Sequence, residues 1–388
     1  MTIDRKYTHL NVLQSIREIV EEIVSKEKSD IRLGLVEYRD HPPQDSTFVT
    51  RVHDFTRSVS SMKSWLDAAN AAGGGDTPEA VADALHEVLK LSWRDESTKI
   101  CVFIADAPPH GLGTRGDGFP EGCPDGVDPM HVAAELAQKG ITMYMVGCQP
   151  SITPYKDFFM AIAHMTGGQY VPLSNATLLA KVIIGGAQEE ISLQRLMEEV
   201  NQEVIHFHRL CGGGYVDEES MTKAVSEKLK KKGARAKQLK MNSSELRGPS
   251  KSAVKLSSKR NMAEVKEEYM KSMATSHMVP KPSPSRYLTR SRKKIATSSS
   301  HMPKSAPKMS SPRPTSARRI KGRTRASRRL SAAATTSARR KVRDDSLVAM
   351  APSDDVYEVE EDQEITRLQT LRMVKKSIAR NKMQVKST

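Results

Sequence analysis

The chain has 388 residues, with 61 Lys+Arg against 46 Asp+Glu for a formal net charge of +15, and only four cysteines. That charge is unevenly spread: residues 1–210 hold 19 basic against 29 acidic side chains, and residues 211–388 hold 42 against 17. No CxxC spacing implies a disulfide framework or zinc ribbon, no apolar run approaches the ~18 residues of a membrane span, and the N-terminal MTIDRKYTHL has no apolar signal core.

The long apolar runs lie in the acidic half, so a globular unit is expected over residues 1–210 of an intracellular protein, cytoplasmic or, through its basic part, nuclear. Residues 11–25 carry Val12, Ile16, Ile19, Val20 and Ile23 at helical spacing. Residues 31–38 read as a strand, and residues 47–55 as a more polar edge strand. A helix over 59–72 leads to the turn Gly73-Gly74-Gly75-Asp76-Thr77-Pro78-Glu79, where Thr77 before Pro78 is placed to cap the next helix.

Residues 100–105 form an unbroken apolar run that does not alternate, the mark of a strand buried on both faces. Asp106 ends it, and Pro108 and Pro109 bar a helix there, so Asp106 falls at the carboxyl end of a central strand, where open α/β sheets place ligands. The competing reading is a carboxylate satisfying turn amides. A Gly- and Pro-rich stretch over 111–129 precedes a helix at 130–139, a buried strand at 141–146, a helix at 158–166, a strand at 169–173 and one long helix at 187–210. This alternation specifies a doubly wound α/β fold.

Gly111-Leu112-Gly113-Thr114-Arg115-Gly116 matches GxGxxG but does not turn directly into a helix, so no nucleotide site is read from it. His206 and His208 stand two apart on a helix and face different ways, which argues against a metal site with Cys211. Asp54 to Ser58 sets acid and hydroxyls close together, but after an edge strand.

Residues 211–269 read as a helical satellite or linker. Residues 270–343 contain 21 Lys+Arg and no acid, the composition of a disordered basic segment. Within it Arg318, Arg319, Lys321, Arg323, Arg325, Arg328 and Arg329 form a polyanion-binding or nuclear-import patch; the alternative is a solvated linker. Residues 344–388 run from acidic to basic and read as a terminal docking helix, with Ile365, Leu368, Leu371, Val374 and Ile378 on one face.

The pieces GLVEYRDHPPQDS, VHDFT, GGGDTPEAV, IADAPPHGLG, GDGFPEGCPDGVDP, MVGCQP and TGGQYVPL together resemble the von Willebrand factor A domain, in the branch found at the N-terminus of vWA-containing alpha-kinases. The resemblance implies a Rossmann-like sheet with helices on both faces and a metal-ion-dependent adhesion site built from three loops. Thr77 matches the threonine of the second loop and Asp106 the aspartate of the third. The strand and DxSxS loop expected before residue 11 are absent, so Mg²⁺ is expected to bind only weakly.

The resemblance further implies a non-enzymatic adaptor whose protein partner presents an acidic side chain to the metal. Two alternatives remain: a regulatory relative of vWA alpha-kinases that has no catalytic domain, and a nucleic-acid or acidic-filament binder acting through the basic tail.

Overall fold

The computed structural model describes residues 30–69, 74–212, 214–215, 217–277 and 355–385. The helix expected at 11–25 and the basic residues Arg318 to Arg329 lie outside the described residues.

The first strand, β1 (Leu33–Tyr38), pairs antiparallel with β2 (Thr50–Thr56), Tyr38 standing opposite Thr50. Helix α1 (Val59–Ala68) opens on Ser58, whose hydroxyl accepts the Ser61 amide at 3.1 Å, satisfying one of the free donors of a helix start. Helix α2 (Val81–Lys90) buries Val81, Ala84, Leu85 and Val88 along one stripe. Strand β3 (Lys99–Ala105) follows.

Helix α3 (Pro129–Gln138) is capped by Asp128 with proline in its first turn. Strand β4 (Ile141–Cys148), helix α4 (Lys156–Met165) and strand β5 (Gln169–Leu173) complete a parallel sheet in the order β3-β4-β5. Every residue of β4 is buried, which accounts for its unalternating apolar sequence: helices cover both faces. One core packs β3 and β4 against α2, α3 and α4, and a second packs the opposite sheet face against α1 and α5 (Leu179–Gln194).

The doubly wound reading therefore holds, with the sheet interrupted between β1 and β3 among the described residues. Those strands are tied by a side chain instead. The Tyr38 hydroxyl donates to the Ile104 carbonyl at 3.0 Å, and its ring stacks on Phe103 at 5.2 Å.

Several local expectations are corrected. The long helix expected over 187–210 is two, α5 and α6 (Met197–Leu210), with Arg195 and Leu196 between them. Thr77 caps nothing: α2 begins four residues after it, with Ala80 in the capping position and no side-chain cap. Glu79 explains the delay, because it is held in a parallel bridge to Pro109, its amide donating to the Pro108 carbonyl at 3.0 Å.

The satellite is neither helical throughout nor separate. It comprises α7 (Glu218–Lys231), β6 (Arg235–Met241), β7 (Ser244–Glu245), α8 (Lys251–Ser257) and α9 (Met262–His277), and Leu256, Met262, Val265 and Tyr269 join the first core. The terminal segment begins as strand β8 (Tyr357–Glu364) and only then becomes helix α10 (Arg367–Arg380). Charge explains the strand: acidic β8 pairs antiparallel with basic β6, placing Lys240 opposite Glu358 and bringing Lys237 Nζ to 2.9 Å from Glu361.

Helix α10 docks on its own chain. Ile365, Met373, Val374 and Ile378 fill a third core with Leu193, Val200, Met221 and Val225, whereas Leu368 and Leu371 of the expected face are only half-buried. On the same helix Arg372 and Lys376 are buried against Glu189 and Glu190.

Candidate metal centre

Three loops meet at the carboxyl ends of β1 and β3. The first follows β1 and carries Asp40 and His41. The second, residues 74–80, precedes α2. The third, residues 106–128, follows β3. Backbone bonds stitch them together, with Ala80 N donating to Arg39 O at 2.9 Å and Glu79 N to Pro108 O. Arg39 anchors the first loop, donating to Thr47 Oγ1 at 2.7 Å and lying 3.6 Å from Asp45.

At the centre is His110, buried between two carboxylates. Its Nε2 is 2.6 Å from Asp40 Oδ1 and its Nδ1 is 2.7 Å from Asp117 Oδ1. Burial would lower the imidazole pKa, but the bonds to Asp117 and Asp40 outweigh it and push it up to about 9, so both nitrogens donate. Asp117 is held in turn by the Gly111 and Phe119 amides, both at 2.9 Å, which with His110 overcome burial and keep its carboxyl below the usual range.

Around this cation stand more acids than it can neutralise. Burial, then the charges of Asp40 and Asp106, push Glu79 up to about 8. Asp76 is raised by burial; the Gly118 amide at 2.6 Å opposes that, and the Asp40 carboxyl adds to it. Asp40 Oδ2, Asp76 Oδ1 and Glu79 Oε2 are buried oxygens with no hydrogen-bond partner. Orphaned acceptors of this kind, on acids that repel one another, suit a small hard cation.

Of the two residues expected to hold Mg²⁺, Asp106 is half-buried directly after β3, within electrostatic reach of Glu79. Thr77 is exposed in the second loop, beside Asp76. The structure thus brings their two loops side by side. Asp40, Asp76, Glu79 and His110 were missed from sequence, although the RDHPP turn after a strand and the acid-rich loop before α2 were both visible. His206 and His208 sit on α6, and among the described residues neither joins Cys211 in a metal-sized cluster.

A second group adjoins the first. His41 Nε2 is 2.9 Å from Asp83 Oδ2, and Cys123 Sγ lies 3.3 Å from the same oxygen and 3.8 Å from His41 Nε2. The rings of His41 and His110 are 6.2 Å apart, and both set an edge against Phe119. Burial first, and then the Asp83 charge, push the Cys123 thiol up to about 11, so it is no free nucleophile.

The family model for the von Willebrand factor type A domain matches residues 6–181. The chain is 29% identical over 117 residues to "Alpha-protein kinase vwkA" of Dictyostelium discoideum, which is 30% of this chain and 18% of that protein. It is 24% identical over 179 residues to "Putative ariadne-like RING finger protein R811" of Acanthamoeba polyphaga mimivirus, 44% of this chain and 17% of that one. The chain thus spans less than a fifth of either relative. Among the described residues no helix is long and apolar enough to cross a membrane.

Proposed function

We propose that this chain, whose residues 6–181 match the von Willebrand factor type A family model, is a cytoplasmic, non-enzymatic adaptor that binds a protein partner through a weak Mg²⁺ site on its three upper loops. The observation that carries this reading is the convergence of buried, unpartnered oxygens on Asp40, Asp76 and Glu79 beside the loop of Asp106. Those four acids, with the hydroxyl of Thr77, would hold the ion. Bound there, Mg²⁺ would supply an electrophilic position for a partner's carboxylate.

His110 then has a positioning role. As a cation pinned by Asp40 and Asp117, it holds the first and third loops together while engaging only Oδ1 of Asp40, so that Oδ2 is left without a hydrogen bond. The raised pKa of Glu79 favours a protonated carboxyl in the metal-free site, which Mg²⁺ must deprotonate to use. That competition keeps affinity low.

The kinase relative aligns over 18% of its length, so kinase activity is not carried over to this chain. The basic segment adds a second, sequence-independent contact with polyanions, supported by its 21 Lys+Arg and no acid over residues 270–343. Binding of the full chain to duplex DNA should weaken with salt, by a log-log slope of about −0.9 per phosphate neutralised.

A panel of fluorescent peptides bearing Asp or Glu, titrated with the full chain in Mg²⁺ or in chelator, tests the adaptor reading. Mg²⁺-dependent binding that Asp106→Ala abolishes supports it. Binding that is equal in chelator, or none to any acidic peptide, refutes it.

A further inference from the structure

We infer that His41, Asp83 and Cys123 form a separate site for a zinc-class divalent ion. The three donors come from the β1 loop, the first turn of α2 and the Gly- and Pro-rich loop after β3, and their ligand atoms lie within 4.8 Å of one another. The site involves none of the Mg²⁺ ligands and stands or falls independently of them.

Geometry selects the ion. Zinc bonds of about 2.0–2.3 Å in a tetrahedron put neighbouring nitrogen, oxygen and sulfur donors about 3.3–3.6 Å apart. The observed separations are 2.9 Å (Nε2 to Oδ2), 3.3 Å (Oδ2 to Sγ) and 3.8 Å (Nε2 to Sγ), so seating an ion needs shifts of only a few tenths of an ångström. The donor set agrees, since imidazole, carboxylate and thiolate suit Zn²⁺ and a thiolate is a poor ligand for Mg²⁺.

A second observation concerns the other ring nitrogen. His41 Nδ1 has the Asp125 carboxylate 4.0 Å away, longer than a hydrogen bond but on the side opposite the donor cluster. His41 is 3% exposed and Asp83 9%, whereas Cys123 is half-buried and the Asp125 side chain is 70% exposed, so the group meets solvent on the side of the Cys123–Asp125 loop. Water takes the fourth position there. On binding, the metal–sulfur bond forms as Cys123 releases its proton to solvent. The proton by which His41 Nε2 bonds Asp83 must likewise leave that nitrogen, so that Nε2 meets the metal and the ring's remaining N–H is on Nδ1, on the side of Asp125.

The test uses the full chain and Co²⁺ as a spectroscopic substitute, with Zn²⁺ affinity measured by competition against a chromophoric chelator. One equivalent of Co²⁺ should give tetrahedral visible bands and a thiolate-to-cobalt charge-transfer band, unchanged in Cys211→Ser and in excess Mg²⁺. Cys123→Ser should abolish the charge-transfer band. Metal-free circular dichroism confirms that each variant is folded, and Cys123→Ala replaces Cys123→Ser if the serine variant is not. Octahedral Co²⁺ spectra, a charge-transfer band that survives loss of Cys123, or a band lost with Cys211 would overturn the assignment. Loss of Mg²⁺ binding in Asp106→Ala with the cobalt spectrum intact would leave it standing.

Discussion

Replacing Arg372 by methionine should destabilise the protein more than any exposed charge change. The guanidinium is 4% exposed and reaches Glu189 at 2.8 Å, Glu190 at 3.0 Å and Gln169 at 3.2 Å, with Tyr144 and the Gly167 carbonyl completing its donors. Lys376 also pairs with Glu190, so two cations balance two carboxylates inside the fold. Arg372→Met leaves Glu189 buried with only the Gln369 amide at 2.8 Å and the Tyr144 hydroxyl at 3.4 Å.

Breaking such a buried pair from one side costs about 3–5 kcal/mol, chiefly because the surviving charge stays desolvated. With a urea dependence of about 2–3 kcal/mol per molar, the unfolding midpoint should fall by about 1–2 M. Adding Glu189→Gln should recover part of the loss. Arg367→Ala, at an ion pair whose partners are 62% and 79% exposed, should shift stability by no more than about 1 kcal/mol. A midpoint for Arg372→Met within about 0.3 M of wild type would show that the pair is effectively solvated, the opposite of its buried geometry.

Burial first, and then the Lys375 charge, hold His164 down to about 3, so its 3.7 Å contact with Glu218 joins a neutral ring to a carboxylate at neutral pH. A histidine pKa below the unfolded value makes stability full above about pH 6.5 and lost as pH falls from there toward 3. The loss is about 2 kcal/mol by pH 5, and urea melts at pH 7 and 5 should show a smaller difference in His164→Gln. An equal acid slope in both proteins would contradict this. Gly167 has φ +66°, and a Cβ there would come within 2.5 Å of the Arg372 carbonyl. Gly167→Ala should therefore cost more than about 1 kcal/mol, and an unchanged thermal midpoint would show that α10 docks less closely than described.

What was legible in the sequence was what local chemistry alone dictates. The runs at β3 and β4 are apolar without alternation because both sheet faces are covered, and that placed Asp106 at the carboxyl end of the sheet. The terminal strand was hidden because YEVEEDQE has too few apolar residues to declare a period; its conformation comes from the basic strand β6, more than a hundred residues earlier. Nothing in the acidic-to-basic run of the terminal segment singles out Arg372 and Lys376, since the buried Glu189 and Glu190 opposite them are far away in sequence. His41, Asp83 and Cys123 escaped for a similar reason, the neighbours in sequence being about 40 residues apart and meeting only in the fold.

Calorimetric titration of the full chain with Mg²⁺, beside Asp106→Ala and Asp40→Ala and with zinc-class ions removed, tests the proposed site most directly. A ligand that binds only the folded state also raises its stability by mass action, so parallel thermal melts provide a second readout. The wild type should show one weak Mg²⁺ site and a melt that rises with Mg²⁺, and each variant should lose both responses. Tight Mg²⁺ binding that survives Asp106→Ala and Asp40→Ala, or a wild-type melt that Mg²⁺ does not move, would contradict this.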